Sequence, residues 1–165
     1  MITKIKSIIK EIREKTGVNL IRANQNGDMP DLPYATYNII SSFVKGTGRE
    51  DESHHDTGDE LVQRRFMEIR FTLSISAYGK TEEITIETAN AIRKWFLFYS
   101  DLFMNEINVA VIDVGSIGNR TAFLVDSYEY KHGFDVQLRF TEIDDIPVDY
   151  FDKVELYYDK NLEVK

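Results

Sequence analysis

The clearest pattern in the chain lies in Phe66–Tyr78, where apolar and polar side chains alternate. The apolar positions after Phe66 are Met67, Ile69, Phe71, Leu73, Ile75 and Ala77. Successive side chains of a β-strand point to opposite faces, so this period predicts a strand with one buried face. At about 3.3 Å per residue the strand would be roughly 40 Å long, which is long for a domain of this size. We therefore predict that it forms one arm of a long, projecting β-hairpin.

Two segments have the spacing of amphipathic helices. In the first, the isoleucines at positions 5, 8, 9 and 12 recur on one face, and Gly17 follows as a left-handed cap. In the second, Thr81 precedes two acids of a first helical turn, and apolar residues continue at helical spacing to about residue 104. We predict that the second helix lies across the sheet.

The other apolar runs predict further strands. They are Val18–Arg22, Tyr34–Val44, Val109–Val114, Thr121–Tyr130, an alternating run from Phe134 to Thr141, and a short final strand, Val154–Tyr158. Lys131-His132-Gly133 is predicted to be a hairpin turn with a solvated histidine. Because helices and strands do not alternate strictly, the predicted fold class is α+β. A mainly antiparallel sheet packed by two helices would form a single domain over residues 1–165.

Polar segments between these elements predict loops. Asn24–Pro33 contains Asn26-Gly27 and two prolines, which is typical of an ordered turn-rich loop. Residues 45–60 combine three glycines with acids and a pair of histidines, which predicts an exposed loop or hairpin tip. The C-terminal segment 142–165 is acidic, and Pro147 predicts a loop over Glu142–Asp152.

Charge and composition narrow the function classes. The formal net charge is −8, so the chain is not predicted to be a general nucleic-acid binder. The chain has no cysteine, which removes disulfides, thiol nucleophiles and cysteine-ligated zinc. The first helix lacks the apolar core of a signal peptide, and no window is apolar enough to span a bilayer. We expect a protein assembled in the cytoplasm, with no membrane partner.

Candidate catalytic residues form no convincing site. His54 and His55 lie among acids, but adjacent histidines in a loop point in different directions and no third histidine lies close in sequence. Paired carboxylates for a hydrolase would come from Asp144, Asp145, Asp149 and Asp152, and nothing singles out a pair. Gly115–Gly118 lacks the lysine ending of a phosphate loop and is predicted to be a tight connection. We predict no catalytic residue, cofactor or metal.

The aromatic segment Trp95–Tyr99 lies within the second predicted helix. Helical spacing places Trp95, Phe96 and Tyr99 in the core but leaves Phe98 on another side. Core packing is the favoured interpretation of the segment, and an exposed Phe98 would suit a subunit interface.

One block of residues carries a family resemblance. Leu20–Gly27 (LIRANQNG), followed by Pro33–Ser41 (PYATYNIIS), resembles the phage neck terminator family, which are small proteins of tailed phages and prophages. The similarity continues in the layout, with a helix, an Asn-Gly loop, a long alternating strand, a second helix and a late Gly-Phe-Asp-Val strand at Gly133–Val136. It does not include residues 45–60 or the acidic segment from Glu142.

The resemblance implies a structural virion protein that is not an enzyme. Such a protein is expected to form a homohexameric ring that closes the tail tube and joins it to the head-proximal connector. Its partners would be its own copies, the tail tube protein and the connector, and its location the virion neck. An acidic lumen would let DNA pass without specific binding, because like charge disfavours phosphate contacts. An adaptor outside any virion, and less favourably a carboxylate-based hydrolase, stay open as alternatives.

Two groups of residues are candidate interface positions. The first group, from the resembling block, is Asn24, Asn26, Gly27, Pro33 and Tyr34. An interface-facing loop and a turn internal to the domain are both open for it. The second group, from the long strand, is Arg64, Arg65, Glu68 and Arg70. Ion pairs between subunits compete there with simple solvation of the outer face.

Overall fold

A computed structural model describes residues 1–45, 51–56 and 60–149 of the chain. The chain divides into two compact units. The larger unit contains residues 1–49 and 67–142, and the smaller unit contains residues 50–66 and 143–165. The predicted final strand Val154–Tyr158 lies outside the described residues.

The first helix has the predicted extent. It is α1, Ile2–Thr16, and it buries Ile5, Ile8 and Ile12. Gly17 follows in the left-handed conformation, with φ of 72°, and its amide donates to the carbonyl of Arg13 at 3.0 Å. A residue with a Cβ is strained at this φ, so the glycine allows the helix to end here.

The second predicted helix is divided into three pieces. They are α2 (Glu82–Lys94), a π-helical turn (Trp95–Tyr99) and α3 (Asp101–Glu106). The Thr81 hydroxyl accepts a hydrogen bond from the Ile84 amide at 3.4 Å, which confirms the predicted start. The π turn places Trp95 and Phe96 together in the core, whereas Tyr99, predicted to be a core residue, is 72% exposed. The wider turn rotates the following residues away from the face that a regular helix would present.

The described strands, in chain order, are β1 (Leu20–Arg22), β2 (Tyr34–Lys45), β3 (Asp51–Asp56), β4 (Leu61–Gly79), β5 (Ala110–Val114), β6 (Gly118–Asn119), β7 (Ala122–Leu124) and β8 (Ser127–Val148). The main order in the sheet is β1-β2-β4-β8-β5. The β1–β2 pair is parallel, while β2–β4 and β5–β8 are antiparallel. The predicted α+β class with a mainly antiparallel sheet is confirmed, with three α-helices among the described residues instead of two.

The predicted alternation of β4 is confirmed within the larger unit. Its core-facing side chains run from Ile69 to Ala77 and are buried together with those of α1, α2 and β8. Phe134, on β8, meets Phe96 of the π turn edge to face, with ring centroids 6.5 Å apart. The other face of β4 carries polar residues over the same stretch, including Ser74 and Ser76.

Residues 45–60 are predicted to be an exposed loop or hairpin tip; Asp51–Asp56 are largely exposed, but they form a strand, β3, and not a loop. This strand pairs with the start of β4 in the smaller unit, from Asp51 opposite Phe66 to Asp56 opposite Leu61. Both of its faces are largely exposed, so the sequence lacks the alternation that reveals a half-buried strand. Backbone pairing and the ion pair between Glu52 and Arg65 hold it instead.

Strand β8 overturns two further predictions. Lys131-His132-Gly133 is not a hairpin turn, because β8 is continuous through it, and Glu142–Val148 is strand where a loop is predicted. Gly133 serves a close approach of two strands: a Cβ there would lie 2.3 Å from the carbonyl oxygen of Ile75. The actual turn lies earlier, between β7 and β8, within the predicted strand Thr121–Tyr130.

Candidate interaction surfaces

Four of the predicted interface residues lie exposed in the loop between β1 and β2. They are Asn24, Asn26, Gly27 and Pro33. Asn24 has φ of 56°, a conformation that asparagine tolerates better than most residues. The loop therefore offers backbone and amide groups to solvent in the larger unit.

Tyr34 behaves differently from its neighbours, because it is only 5% exposed. Its ring stacks on that of Tyr78 on β4, with centroids 4.9 Å apart and planes 11° apart. Burial, together with nearby Tyr78 and Glu129, raises the pKa of the Tyr34 hydroxyl. Within the single chain Tyr34 therefore anchors the loop to the sheet.

The arginines predicted at the start of β4 form ion pairs inside the smaller unit. Arg64 binds both carboxylate oxygens of Asp145 on β8, each at 2.7 Å. The hydrogen bond from Arg64, with its charge and that of His55, lowers the pKa of Asp145. Arg65 lies 3.2 Å from Glu52 on β3. These pairs connect the strands of the smaller unit.

Glu68 and Arg70 belong to the larger unit and to the polar face of β4. Glu68 accepts from Arg139 of β8 at 2.8 Å, and Arg70 is half-buried one position further along the same face. The predicted interface residues are thus spread over both units, and no single surface in either unit contains all of them.

A polar network that the sequence analysis missed crosses the same face of the larger unit. The guanidinium of Arg120 donates to Ser74 Oγ at 2.8 Å, to Ser76 Oγ at 3.0 Å and to Asp135 Oδ1 at 2.9 Å. Ser74 Oγ also donates to Asp135 at 2.6 Å. Partial burial acts to raise the pKa of Asp135, but the bonds from Ser74 and Arg120 outweigh it and lower that pKa. No motif marks these residues, because strand pairing brings them together.

His132 is also placed differently from the solvated turn position predicted for it. It is 5% exposed, and its Nδ1 lies 2.8 Å from the Thr85 hydroxyl of α2. The Thr85 hydroxyl donates to the carbonyl of Glu82 at 2.6 Å, so Nδ1 carries the hydrogen that joins the two side chains. This hydrogen bond connects β8 to the first turn of α2.

Neither a group of side chains for a metal ion nor a helix for a membrane span is found among the described residues. His54 and His55 are successive residues of β3, so their side chains point to opposite faces, and His55 Nε2 lies 3.1 Å from Ser53 Oγ. Over residues 1–45, 51–56 and 60–149, no group of three or more histidine and acidic side chains is arranged to hold a metal ion. None of the helices described there is long and apolar enough to cross a membrane.

Apolar side chains are exposed as a cluster on the π turn and α3. This aromatic cluster consists of Leu97, Phe98, Tyr99 and Leu102, with Phe98 68% and Leu102 82% exposed. The rings of Phe98 and Tyr99 meet edge to face at 6.4 Å. The exposure of Phe98 agrees with its predicted position off the apolar face of the helix. Several exposed large apolar side chains within six residues make this segment a candidate interaction surface.

A groove of about 500 Å³ adjoins this cluster in the larger unit. Its lining comes from the end of α1, the end of α2 and the π turn: Lys15, Thr16, Ala91, Lys94, Trp95 and Tyr99. Ala91, Trp95 and Tyr99 make part of the lining apolar and aromatic, and the two lysines contribute positive charge. The groove and the aromatic cluster share Tyr99.

A second apolar projection is the hairpin tip, defined as residues Phe123–Tyr128 between and beside β7 and β8. Phe123 and Tyr128 pack edge to face across the two strands at 5.0 Å. Leu124 pairs with Ser127, so Val125 and Asp126 form a two-residue turn. Val125 is 90% exposed. In the sequence, the apolar run Ala122–Val125 is a signal for this projection, but it lies within the predicted strand Thr121–Tyr130.

Comparison with known proteins adds a family match. The family model described as phage neck terminator protein matches residues 5–161. No curated protein matches the chain.

Proposed function

Since the chain belongs to the phage neck terminator protein family, we propose that it forms a ring that closes the tail tube and joins it to the head-proximal connector. Neck terminators are structural proteins of the tail end. The observation that carries the proposal is the extent of the match, residues 5–161, which includes most residues of both compact units. We accordingly propose that the chain acts as one neck terminator domain and not as an enzyme.

Self-association is the step that the surface supports physically. The aromatic cluster and the hairpin tip expose large apolar side chains on the larger unit. Burying such groups between copies would remove apolar area from water, which contributes about 25 cal/mol per Å². A closed ring needs two different patches on each copy. The hairpin tip is one candidate, and the aromatic cluster with the groove that adjoins it at Tyr99 is the other.

We propose a homohexamer, with the tail tube protein and the connector as partners at the virion neck after assembly in the host cytoplasm. The exposed residues Asn24, Asn26, Gly27 and Pro33 would contact a partner, with Tyr34 holding their loop in place. We propose that Arg64, Arg65, Glu68 and Arg70 also lie at a subunit interface, where the ion pairs of Arg64, Arg65 and Glu68 within the chain would hold their strands in place. The formal charge of −8 supports passage of DNA through the ring without specific binding.

The proposal is tested by the mass of the protein in solution. Sedimentation velocity and native mass spectrometry over a range of concentrations, with and without purified tail tubes, should show six-copy particles free or on the tubes. The comparison protein is the Phe98→Ser, Leu102→Ser double variant, which should assemble less. A wild-type chain that stays monomeric and leaves tail tubes unbound would contradict the proposal.

A further inference from the structure

We propose that the hairpin tip of one copy inserts into the groove of the neighbouring copy, so that Asp126 meets Lys94. This inference rests on the proposed ring and names the contact between its subunits. The tip is an apolar projection that carries one acid, and the groove is an apolar cleft that carries two lysines.

The backbone conformation of Val125 indicates that this residue has a role other than forming the turn. Val125 has φ of 35° at the first central position of a two-residue hairpin turn. Asparagine, aspartate or glycine is favoured at such positions, whereas a β-branched residue with positive φ is a true outlier. A strained and largely exposed valine costs stability in the free chain, and such strain typically accompanies a binding role.

The groove suits this tip in polarity and charge. Ala91 and the exposed ring of Tyr99 provide apolar contact for the side chains of Leu124 and Val125, and the buried Trp95 completes the apolar lining. Lys94 provides a cation for Asp126 at the apex of the turn. Lys15 also lines the groove, but it lies 3.7 Å from Glu11 within α1, so Lys94 is the expected partner.

We assign the occupant of the groove to another copy of the chain. The hairpin continues into β8 at His132, which contacts Thr85 in the first turn of α2. The groove is lined by Ala91 and Lys94 at the opposite end of that helix. No residue of the hairpin tip lines the groove, so the tip of a chain does not fill the groove of the same chain.

The contact has the geometry that a ring requires. Tip and groove are different surfaces, so their association is heterologous, with each copy inserting one tip and receiving another. Such contacts close into a ring when the rotation between copies permits it. Each copy in the ring would then have its tip buried and its groove filled.

Charge reversal tests the contact directly. Asp126→Lys and Lys94→Glu each place like charges together, and each should raise the concentration for half-assembly by about tenfold or more. Mixing the two variants should restore assembly. Each unaltered tip then finds an unaltered groove, and each tip with the reversed charge finds a groove whose charge is also reversed. The chain carrying both changes should assemble as the wild type does.

Rescue by mixing distinguishes a contact between copies from a contact within one chain. If the contact lay within one chain, mixing would not restore assembly, and only the chain that carries both changes would assemble. Val125→Asn provides a second readout. Because asparagine tolerates positive φ, the free chain should melt at a higher temperature while assembling less. A turn with a purely structural role would gain stability with assembly unchanged.

The outcomes distinguish the two proposals. If wild-type rings form and both charge-reversal variants assemble equally well, the tip-in-groove contact is wrong and the ring stands. Failure of the mixture to assemble, with each variant impaired alone, also overturns the contact. If the wild type assembles neither in solution nor on tail tubes, the ring proposal fails and this contact fails with it.

Discussion

Arg120 Nη2 lies 2.9 Å from Asp135 Oδ1, and this pair connects the segment between β6 and β7 to β8 on the polar face of the sheet. The other terminal nitrogen of Arg120 reaches Ser74 and Ser76 on β4. One guanidinium therefore joins three segments, and the carboxylate of Asp135 must be ionised to pair with it.

This relationship predicts a pH dependence of stability. The pKa of Asp135 is lowered in the folded chain, so its contribution is complete above the pKa of the unfolded chain. That contribution should be lost below about pH 4, as the pH falls through the folded-state pKa. Chemical denaturation at several pH values should show a smaller loss of stability in Asp135→Asn than in the wild type over this range.

Asp113→Asn, which removes an exposed carboxylate from β5, is the control. An Asp135→Asn variant with the same acid dependence as the wild type would contradict the assignment.

A second prediction concerns the close approach of β4 and β8 at Gly133. In Gly133→Ala the new Cβ would lie 2.3 Å from the Ile75 carbonyl oxygen, which the sheet holds in place. We expect a loss of about 3 kcal/mol or more in the free energy of unfolding, measured by urea denaturation.

The matched variant for Gly133 is Gly27→Ala, where nothing lies within 4 Å of the added Cβ. It should change the stability by no more than about 0.5 kcal/mol. Equal effects of the two substitutions would show that β4 and β8 do not approach each other as described.

A third prediction concerns the buried contact between His132 and Thr85. Thr85→Val keeps the side-chain shape but leaves Nδ1 of His132 without its 2.8 Å partner. The expected cost is about 1 to 3 kcal/mol in the free energy of unfolding. Thr88→Val is the control, because the Thr88 hydroxyl donates only to the Ile84 carbonyl of its own helix, at 2.7 Å. A cost for Thr88→Val as large as that for Thr85→Val would contradict a special role for the histidine contact.

A fourth prediction separates assembly from folding at the aromatic cluster. Phe98→Ser combined with Leu102→Ser should leave the unfolding free energy of the single chain within about 0.5 kcal/mol per substitution, because both side chains are exposed. Assembly, followed by sedimentation velocity, should weaken strongly. Ile86→Ser removes an exposed apolar residue from α2 outside the cluster and should not affect assembly. Equal impairment by Ile86→Ser would show a general solubility effect instead.

The sequence predicted those parts of the fold in which one face is buried. The alternation from Met67 to Ala77 follows directly from such burial, as does the isoleucine spacing of α1. Strand β3 escaped prediction because both of its faces are exposed, so its polar residues do not alternate with apolar ones. Gly133 was misassigned to a turn because a glycine required for close strand packing and one required for a turn have the same appearance in sequence.

The candidate surfaces were predictable only in part. Phe98 was identified because it falls off the apolar face of a regular helix, but the π turn that also exposes Tyr99 depends on tertiary packing. The network of Arg120, Asp135 and Ser74 joins residues far apart in the chain, and no local pattern reveals it. The family resemblance of the Leu20–Ser41 block is confirmed by the match over residues 5–161.

The central claim, a ring at the end of the tail tube, is tested most directly by electron microscopy of purified tail tubes incubated with the wild-type chain. We predict one ring of six copies at a single end of each tube, and its absence with the Phe98→Ser, Leu102→Ser variant. Tubes with bare ends, or with the chain bound along their sides, would contradict the account.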